Sequence, residues 1–210
     1  PEETFGNSGL KGADQAALAL PRIERWLEHV EARGFEEFNS STYMPITIAA
    51  MLNVVDFSGD EKLSARMAVQ IDRIFRDLAV QAFADGVITP QGRVYRDVLF
   101  PEDAGTQALL AYASDATKVD LAGPRPRDRG RSGDWVVFPA SSPKYRPPED
   151  LDEKTSGTVS KMYRHADVQI VVEKTPAYIL TSLAVPAIPR EGESPDNDLR
   201  PGGAGRAGRR

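Results

Sequence analysis

The fold is decided by one stretch of the sequence, YMPITIAAMLNVVDFSGDEKLSARMAVQIDRIF, at residues 43–75. From Met44 to Val55 nearly every position is apolar, which is typical of a helix that is buried on all sides. Ser41 is a suitable N-cap for this helix, and Pro45 lies in its first turn, where a missing N–H does no harm. The stretch therefore predicts an inner helix at 44–55.

A second helix follows at once. Residues 58–61, SGDE, have the pattern of a capping box, and apolar residues then recur at helical spacing as far as Ala84. Lys62, Arg66, Arg73 and Arg76 occupy the opposite side. The spacing predicts an amphipathic, outer helix over 60–84.

The residues before the inner helix predict another outer helix. Residues 1–12 are typical of a loop, helical spacing begins near Asp14, and Pro21 is expected to interrupt it. The apolar stripe from Arg22 is followed by Gly34, a usual C-terminal stop; it comprises Ile23, Trp26, Leu27 and Val30. The order outer, inner, outer is typical of stacked helical hairpins.

The later residues change in character. Residues 85–97 contain two glycines and a proline and are expected to be a strand or loop, and a fourth helix is predicted at 102–113. Strands are predicted at 135–138, 167–174 and 177–185. We expect a mainly α fold with a helical portion at 13–122, a linker or loop region at 123–153, a β portion at 154–189 and a disordered tail at 190–210.

Composition excludes several classes of function. The chain has 210 residues, 40% of them hydrophobic and 27% charged, so a packed core is expected. A net charge of −5 argues against a nucleic-acid binder, and no apolar run is long enough to span a membrane. Without cysteine, and with only His29 and His165, thiolate and multi-histidine metal sites are excluded. We expect no metal and no cofactor.

Polar residues cluster at the start of the inner helix. Asn39, Ser40, Ser41, Thr42 and Tyr43 directly precede the apolar run. Helix capping is one explanation, since these residue types are common caps. A ligand site is the other, because a cap needs only one side-chain acceptor and clefts between helices hold ligands.

Two further groups of residues suit acid–base chemistry or anion binding. Arg93 and Tyr95 could recognise a carboxylate or sulfate through the planar guanidinium, or Arg93 could pair with Asp97 or Glu102. Tyr163, Arg164 and His165 lie ahead of a predicted strand; His165, near this tyrosine and arginine, could act as acid or base or be structural or merely exposed. His29, on the charged side of an outer helix, is expected to be solvated.

The stretch from Gly34 to Tyr95, GFEEFNSSTYMPITIAAMLNVVDFSGDEKLSARMAVQIDRIFRDLAVQAFADGVITPQGRVY, resembles the helical domain of heparinase II/III-like proteins. These polysaccharide-lyase-like proteins have an (α/α) toroid followed by an antiparallel β-sandwich. In that group an inner helix opens with an acidic or amide residue, then serine, then tyrosine three positions later, and Asn39, Ser40 and Tyr43 match. HADVQIVVEKTPAYILTSL, at 165–183, resembles the first sandwich strands.

The resemblance implies β-elimination on an acidic polysaccharide that contains uronic acid. It implies Asn39 as the group that neutralises the substrate carboxylate, Tyr43 as a base or substrate contact, and Tyr163 or His165 as the second proton carrier. Arg93 would anchor the carboxylate, and Ser40 and Tyr95 would also contact the substrate. It also implies that the chain is a fragment with an incomplete toroid, and it favours a periplasmic or secreted location.

Two alternatives stay open at this point. A glycoside hydrolase on a similar toroid would need two carboxylic acids facing each other across the sugar. A non-catalytic carbohydrate-binding protein is the other alternative. It is supported by Glu36, which stands where related lyases often have histidine.

Overall fold

The structure is a computed structural model that describes residues 2–84, 86–95, 105–117 and 132–185. Helices hold 51% of these residues, and a three-stranded antiparallel sheet accompanies them, so the predicted mainly helical character is confirmed. The helices are α1 Gly12–Arg33, α2 Tyr43–Phe57, α3 Glu61–Val80, α4 Gly105–Ala113, α5 Val137–Ser141 and α6 Leu151–Ser156. The strands are β1 Ala82–Phe83, β2 Gly86–Val87, β3 Val159–His165, β4 Val168–Lys174 and β5 Ile179–Ala184.

Helix α2 is largely buried, as the apolar run predicts, but it is not buried on all sides, because Ile46, Ala50, Asn53 and Phe57 leave one side exposed. Met44, Ile48, Met51, Leu52 and Val55 are all buried, and α2 packs along α3. Ser41 does not cap it. Instead the Ser40 hydroxyl accepts the backbone N–H of Tyr43 at 3.3 Å, because the Ser41 hydroxyl points to Gln91. The prediction of Ser41 as the N-cap was therefore wrong.

Helix α3 begins and ends differently from the prediction. Its N-cap is Asp60, whose Oδ1 accepts the backbone N–H of Leu63 at 3.0 Å, and not Ser58. It ends at Val80 because Ala82 and Phe83 pair with Gly86 and Val87 as an antiparallel hairpin. The apolar spacing at Phe83 is therefore that of a short strand.

Pro21 does not interrupt α1, contrary to the prediction. The helix continues from Gly12 to Arg33 with Pro21 inside it. Alanine and leucine, both strong helix formers, occupy the four positions before the proline. Ala17, whose carbonyl loses its partner, is exposed and can bond water.

Residues 135–138 are not a strand. Residues 132–136 form a 3₁₀ turn that runs into α5, and Trp135 stacks on Phe138 with ring centroids 5.4 Å apart. A four-residue apolar run is too short for its period to separate strand from helix. From 132 to 153 the region expected to be a linker also contributes Tyr145 and Leu151 to the core.

The sheet packs on the helices in the order β3-β4-β5, with all neighbours antiparallel. The predicted strands at 167–174 and 177–185 are confirmed as β4 and β5, and KMYRH lies within β3 instead of ahead of a strand. Ile170 and Val172 join the same hydrophobic core as α1, α2 and α3. Helices and sheet therefore share one interior in the described parts of the chain.

Strand β4 ends in a buried lysine. The Lys174 Nζ donates to the carbonyls of Ala79 and Ala82 at 3.1 Å each, of Lys154 at 2.7 Å and of Thr155 at 3.0 Å. The carbonyls of Ala79, Lys154 and Thr155 lie at the C-terminal ends of α3 and α6, where a cation is favoured, and that of Ala82 lies in β1 just after α3. Lys174 thus ties the sheet to two helix ends.

Several expectations concern residues outside the described ranges: the first turn of the fourth helix, residues 123–131 of the expected linker, the tail at 190–210, and the partners Asp97 and Glu102. Among the described residues, no helix has both the length and the apolar character required to cross a membrane.

Candidate functional site

Two segments, 37–41 and 89–93, lie side by side at the start of α2; we call them the paired loops. Gly92 donates its backbone N–H to the Phe38 carbonyl at 2.9 Å. The side-chain oxygen of Gln91 accepts the backbone N–H of Ser41 at 3.0 Å and its hydroxyl at 3.2 Å. These bonds fix the residues that follow each loop, Tyr43 on one side and Arg93 and Tyr95 on the other.

The close approach of the paired loops depends on Gly92. A Cβ at this position would lie 2.3 Å from the Glu36 carbonyl oxygen and 3.0 Å from the Glu37 Cα. Both atoms belong to the backbone and cannot swing aside as a side chain would. Any residue larger than glycine therefore forces the loops apart.

The paired loops build a group of four accessible side chains, Glu37, Tyr43, Arg93 and Tyr95, which we call the surface cluster. The two phenol oxygens lie 2.8 Å apart. The guanidinium carbon of Arg93 lies 5.5 Å from the centroid of each tyrosine ring. Arg93 Nη1 donates to Glu37 Oε1 at 2.9 Å. The cluster places a cation and two exchangeable phenol protons within one small area.

The electrostatics of the surface cluster favour the protonated form of Tyr43 and the charged form of Arg93. The hydrogen bond with Tyr95 raises the pKa of Tyr43, and the positive charge of Arg93 opposes this rise. The hydrogen bond to Glu37 raises the pKa of Arg93. The cluster can thus bind an anion and donate phenol protons to oxygen atoms.

Asn39 lies beneath the surface cluster and is only 3% exposed. Its φ of 53° is in the left-handed region, which asparagine tolerates better than most residues. Its amide donates to Thr89 Oγ1 at 2.8 Å and lies 3.4 Å from the Pro90 carbonyl. Ser40 is buried as well and holds the first N–H of α2. In this structure a polysaccharide on the surface would contact neither side chain.

Tyr163 extends the buried polar layer below Asn39. Its hydroxyl accepts a hydrogen bond from the Gln81 amide and lies 3.5 Å from Asn39 Nδ2. Burial raises the pKa of Tyr163, and the charge of Asp77 adds to the rise. Tyr163 is therefore neutral and serves as a hydrogen-bonding partner in the interior.

His165 is 2% exposed and is held on all sides. Its Nδ1 accepts the backbone N–H of Phe35 at 3.1 Å, and its Nε2 lies 3.2 Å from Asp77 Oδ2. Because Nδ1 is an acceptor, the proton of the neutral ring is on Nε2 and points at Asp77. The ring also stacks on Phe38, with centroids 5.5 Å apart, and so supports one of the paired loops from below.

The Asp77 carboxylate contacts two cations in addition to His165. Lys161 Nζ donates to its Oδ1 at 3.1 Å, and Arg73 Nε lies 3.9 Å from its Oδ2. Asp77 is buried, so these cations compensate a carboxylate that has lost its water. This group joins α3 to β3 directly beneath the paired loops.

The structure thus divides the predicted site residues into two sets. Tyr43, Arg93 and Tyr95 come together at the surface, whereas Asn39, Ser40, Tyr163 and His165 lie below them. His29 is exposed, as expected, and lies 3.9 Å from Glu36.

Sequence reasoning missed the partners of these residues, since nothing in their spacing marks them. They are Glu37, Asp77, Gln81, Thr89 and Gln91.

Metal chemistry has no evident site in the described ranges, which contain no group of three or more His, Asp or Glu side chains that could hold an ion. None of the family models, curated proteins or solved structures compared with the chain matches it.

Proposed function

We propose that this chain is part of a polysaccharide-lyase-like protein that carries out β-elimination on a polysaccharide containing uronic acid. The observation that carries the proposal is the accessible Tyr43–Tyr95 phenol pair, 2.8 Å between oxygens, beside the Arg93 guanidinium. In this proposal α1, α2 and α3 are successive outer, inner and outer helices of an (α/α) toroid, and β3–β5 begin a β-sandwich. The support for this assignment is the burial of α2, which stands between two amphipathic helices in the sequence and packs along α3.

Arg93 binds the uronate carboxylate in this mechanism. A guanidinium can donate two parallel hydrogen bonds to a carboxylate, and its positive charge stabilises the anion that forms when the adjacent carbon loses its proton. Half of the Arg93 side chain, 52%, is exposed, so a polymer can reach it. Arg93 thereby makes the proton next to the carboxylate easier to remove.

The phenol pair moves the proton. One phenol, as its phenolate, takes the proton from the carbon next to the carboxylate. The bond from the neighbouring carbon to the glycosidic oxygen breaks, a carbon–carbon double bond forms, and the other phenol protonates the departing oxygen. Tyr43, whose pKa is raised, is assigned as the acid, and the other phenol, that of Tyr95, is assigned as the base. The proton lost by carbon is balanced by the proton gained by oxygen.

Asn39, Ser40, Tyr163 and His165 act in this proposal by positioning other groups and not by touching the substrate. Their hydrogen bonds hold the paired loops and the first turn of α2 in place. Changes at these positions are expected to lower stability and activity together.

Binding without chemistry is the second candidate, and one observation favours it. Asn39 and His165, which the resemblance assigns to the reaction, are both almost completely buried. A surface with two tyrosines and one arginine could still recognise an acidic sugar through hydrogen bonds and ring contacts.

The test is to incubate the purified chain with a panel of uronate polysaccharides and follow the ultraviolet absorbance of the unsaturated product. Tyr43→Phe and Arg93→Gln are compared with Tyr178→Phe and Arg25→Gln, which change exposed residues of the same types elsewhere. Growth of absorbance that is lost only in the first two variants supports elimination at the surface cluster.

Other outcomes distinguish the alternatives. Binding that needs Arg93, without any absorbance change, supports a carbohydrate-binding protein. New reducing ends without absorbance indicate hydrolysis. No binding and no product across the panel, with the chain shown to be folded, would overturn both candidates.

A further inference from the structure

The anion site of the surface cluster is already occupied by a residue of the chain itself. Arg93, the group that would bind a uronate, donates to Glu37 at 2.9 Å. The two residues are neighbours because Gly92 is bonded to Phe38, which sets Arg93 opposite Glu37. A ligand carboxylate therefore meets a guanidinium that already has a carboxylate partner.

The Glu37 side chain is free to leave while its backbone stays in place. Its carbonyl accepts the N–H of Ser40 at 3.3 Å, and the next residue is bonded to Gly92. The side chain is 38% exposed, so the carboxylate can turn into water, and the exposed ion pair that is lost contributes little to stability. The exchange of one carboxylate for another leaves the charge around Arg93 unchanged.

We propose that Glu37 is an internal competitor for Arg93 that makes the surface cluster selective for uronates over simple anions. This inference rests on the proposed function of the cluster as a uronate site. A simple anion such as acetate must displace Glu37 to form an ion pair with Arg93. The interaction that it gains is only the one that Glu37 loses, so acetate binds poorly. A uronate also offers ring hydroxyls to Tyr43 and Tyr95, and these bonds supply the net gain.

The test measures binding of a uronate oligosaccharide and of acetate to the full chain by calorimetry. Glu37→Gln is expected to tighten oligosaccharide binding about threefold to fivefold, the range expected for loss of one exposed ion-pair competitor. Acetate, which does not compete in the wild type, is expected to compete in this variant.

Glu36→Gln is the matched control. It removes the same charge from the neighbouring residue, but the Glu36 carboxylate lies 3.9 Å from His29 and does not contact Arg93. Its effect is expected to be below about twofold, because exposed charges at longer range are screened by salt.

The outcomes separate this inference from the proposed function. If the wild type binds the oligosaccharide through Arg93 but Glu37→Gln leaves affinity and acetate competition unchanged, or weakens binding, only the inference is overturned. If neither the wild type nor Glu37→Gln binds, both are overturned. Binding that is detectable only in Glu37→Gln would support both.

Discussion

His165 and Asp77 meet in the interior through Nε2 and Oδ2, 3.2 Å apart, although 88 positions separate them in the sequence. The other ring nitrogen is held by the backbone of Phe35. The pair thus joins β3 to α3 and to the end of α1. It also lies under Phe38, so the stability of the interior and the geometry of the paired loops are linked.

Replacing this histidine by a ring without nitrogen is expected to destabilise the protein. His165→Phe can keep the stack on Phe38 but leaves the Phe35 N–H and the Asp77 carboxylate short of a partner. Loss of such buried partners costs about 1–3 kcal/mol in the free energy of unfolding. Urea denaturation measures this loss in the free energy of unfolding, and His29→Phe, which changes an exposed histidine, is the control. Equal midpoints for His165→Phe and the wild type would contradict the assignment.

The paired loops are expected not to tolerate a methyl group at position 92. Gly92→Ala places a Cβ against the backbone of Glu36, so we expect a loss of about 1–3 kcal/mol. Gly6→Ala is the control, because nothing lies within 4 Å of its Cβ position. Thermal unfolding of both variants is the measurement, and an unchanged melting temperature for Gly92→Ala would show that the loops are not in close contact.

The turn between β3 and β4 offers a stabilising change. Ala166 has φ of 49°, in the left-handed region that alanine disfavours and asparagine tolerates. Ala166→Asn is expected to raise the free energy of unfolding by about 0.5–1 kcal/mol. Ala177→Asn, in the turn before β5, should give no such gain. If the two variants behave alike, strain at position 166 is not the cause.

Lys174 should make stability depend on pH in alkaline solution. Burial lowers the pKa of Lys174 to about 8, against 10.5 for an unperturbed lysine. Between these values the unfolded chain binds more protons than the folded chain, so the free energy of unfolding rises with pH. The size of this pKa difference limits the rise in the free energy of unfolding to about 3 kcal/mol. The four carbonyl partners favour the ammonium and therefore reduce the rise.

The Lys174→Met variant isolates this effect from other titrating groups. The difference in unfolding free energy between the wild type and this variant should increase from about pH 8 to pH 10.5 and then level off. A difference that stays flat across this window would mean that Lys174 keeps an ordinary pKa in the folded protein.

The phenol pair can be tested without any ligand. The hydrogen bond with Tyr95 is the largest cause of the raised pKa of Tyr43. Tyr95→Phe removes it, and Arg93 remains nearby, so the pKa of Tyr43 should fall. Nuclear magnetic resonance titration of the Tyr43 ring measures this, with Tyr178→Phe as the control. No change in the Tyr43 titration would mean that the phenols do not share a proton.

Local patterns in the sequence predicted much of the fold. The apolar run of α2 and the alternating residues of β4 and β5 depend mainly on burial, which hydrophobic spacing records directly. Pro21 was misjudged because propensity is a weak guide where flanking residues favour the helix and the freed carbonyl reaches water. Residues 135–138 were misjudged because four apolar residues fit either period.

The candidate site was less predictable. Arg93, Tyr95 and Tyr43 were singled out by residue type, but their contact depends on pairing between loops about fifty positions apart. No local pattern encodes this pairing, apart from Gly92, whose role appears only beside Glu36. Asn39 was expected to face a ligand, but it is buried beneath the loops. This burial is also a long-range property, which no local pattern in the sequence encodes.

The bond between Phe35 and His165 spans 130 positions, which has a consequence for the order in which the chain can fold. During synthesis α1, α2 and α3 leave the ribosome long before β3 does. Until β3 arrives, Phe35 has no imidazole to bind and Phe38 has no ring to stack on. The surface cluster can therefore reach its final form only after His165 has been made. A nascent chain that stops before His165 would contain the residues of the helices but could not complete the surface cluster.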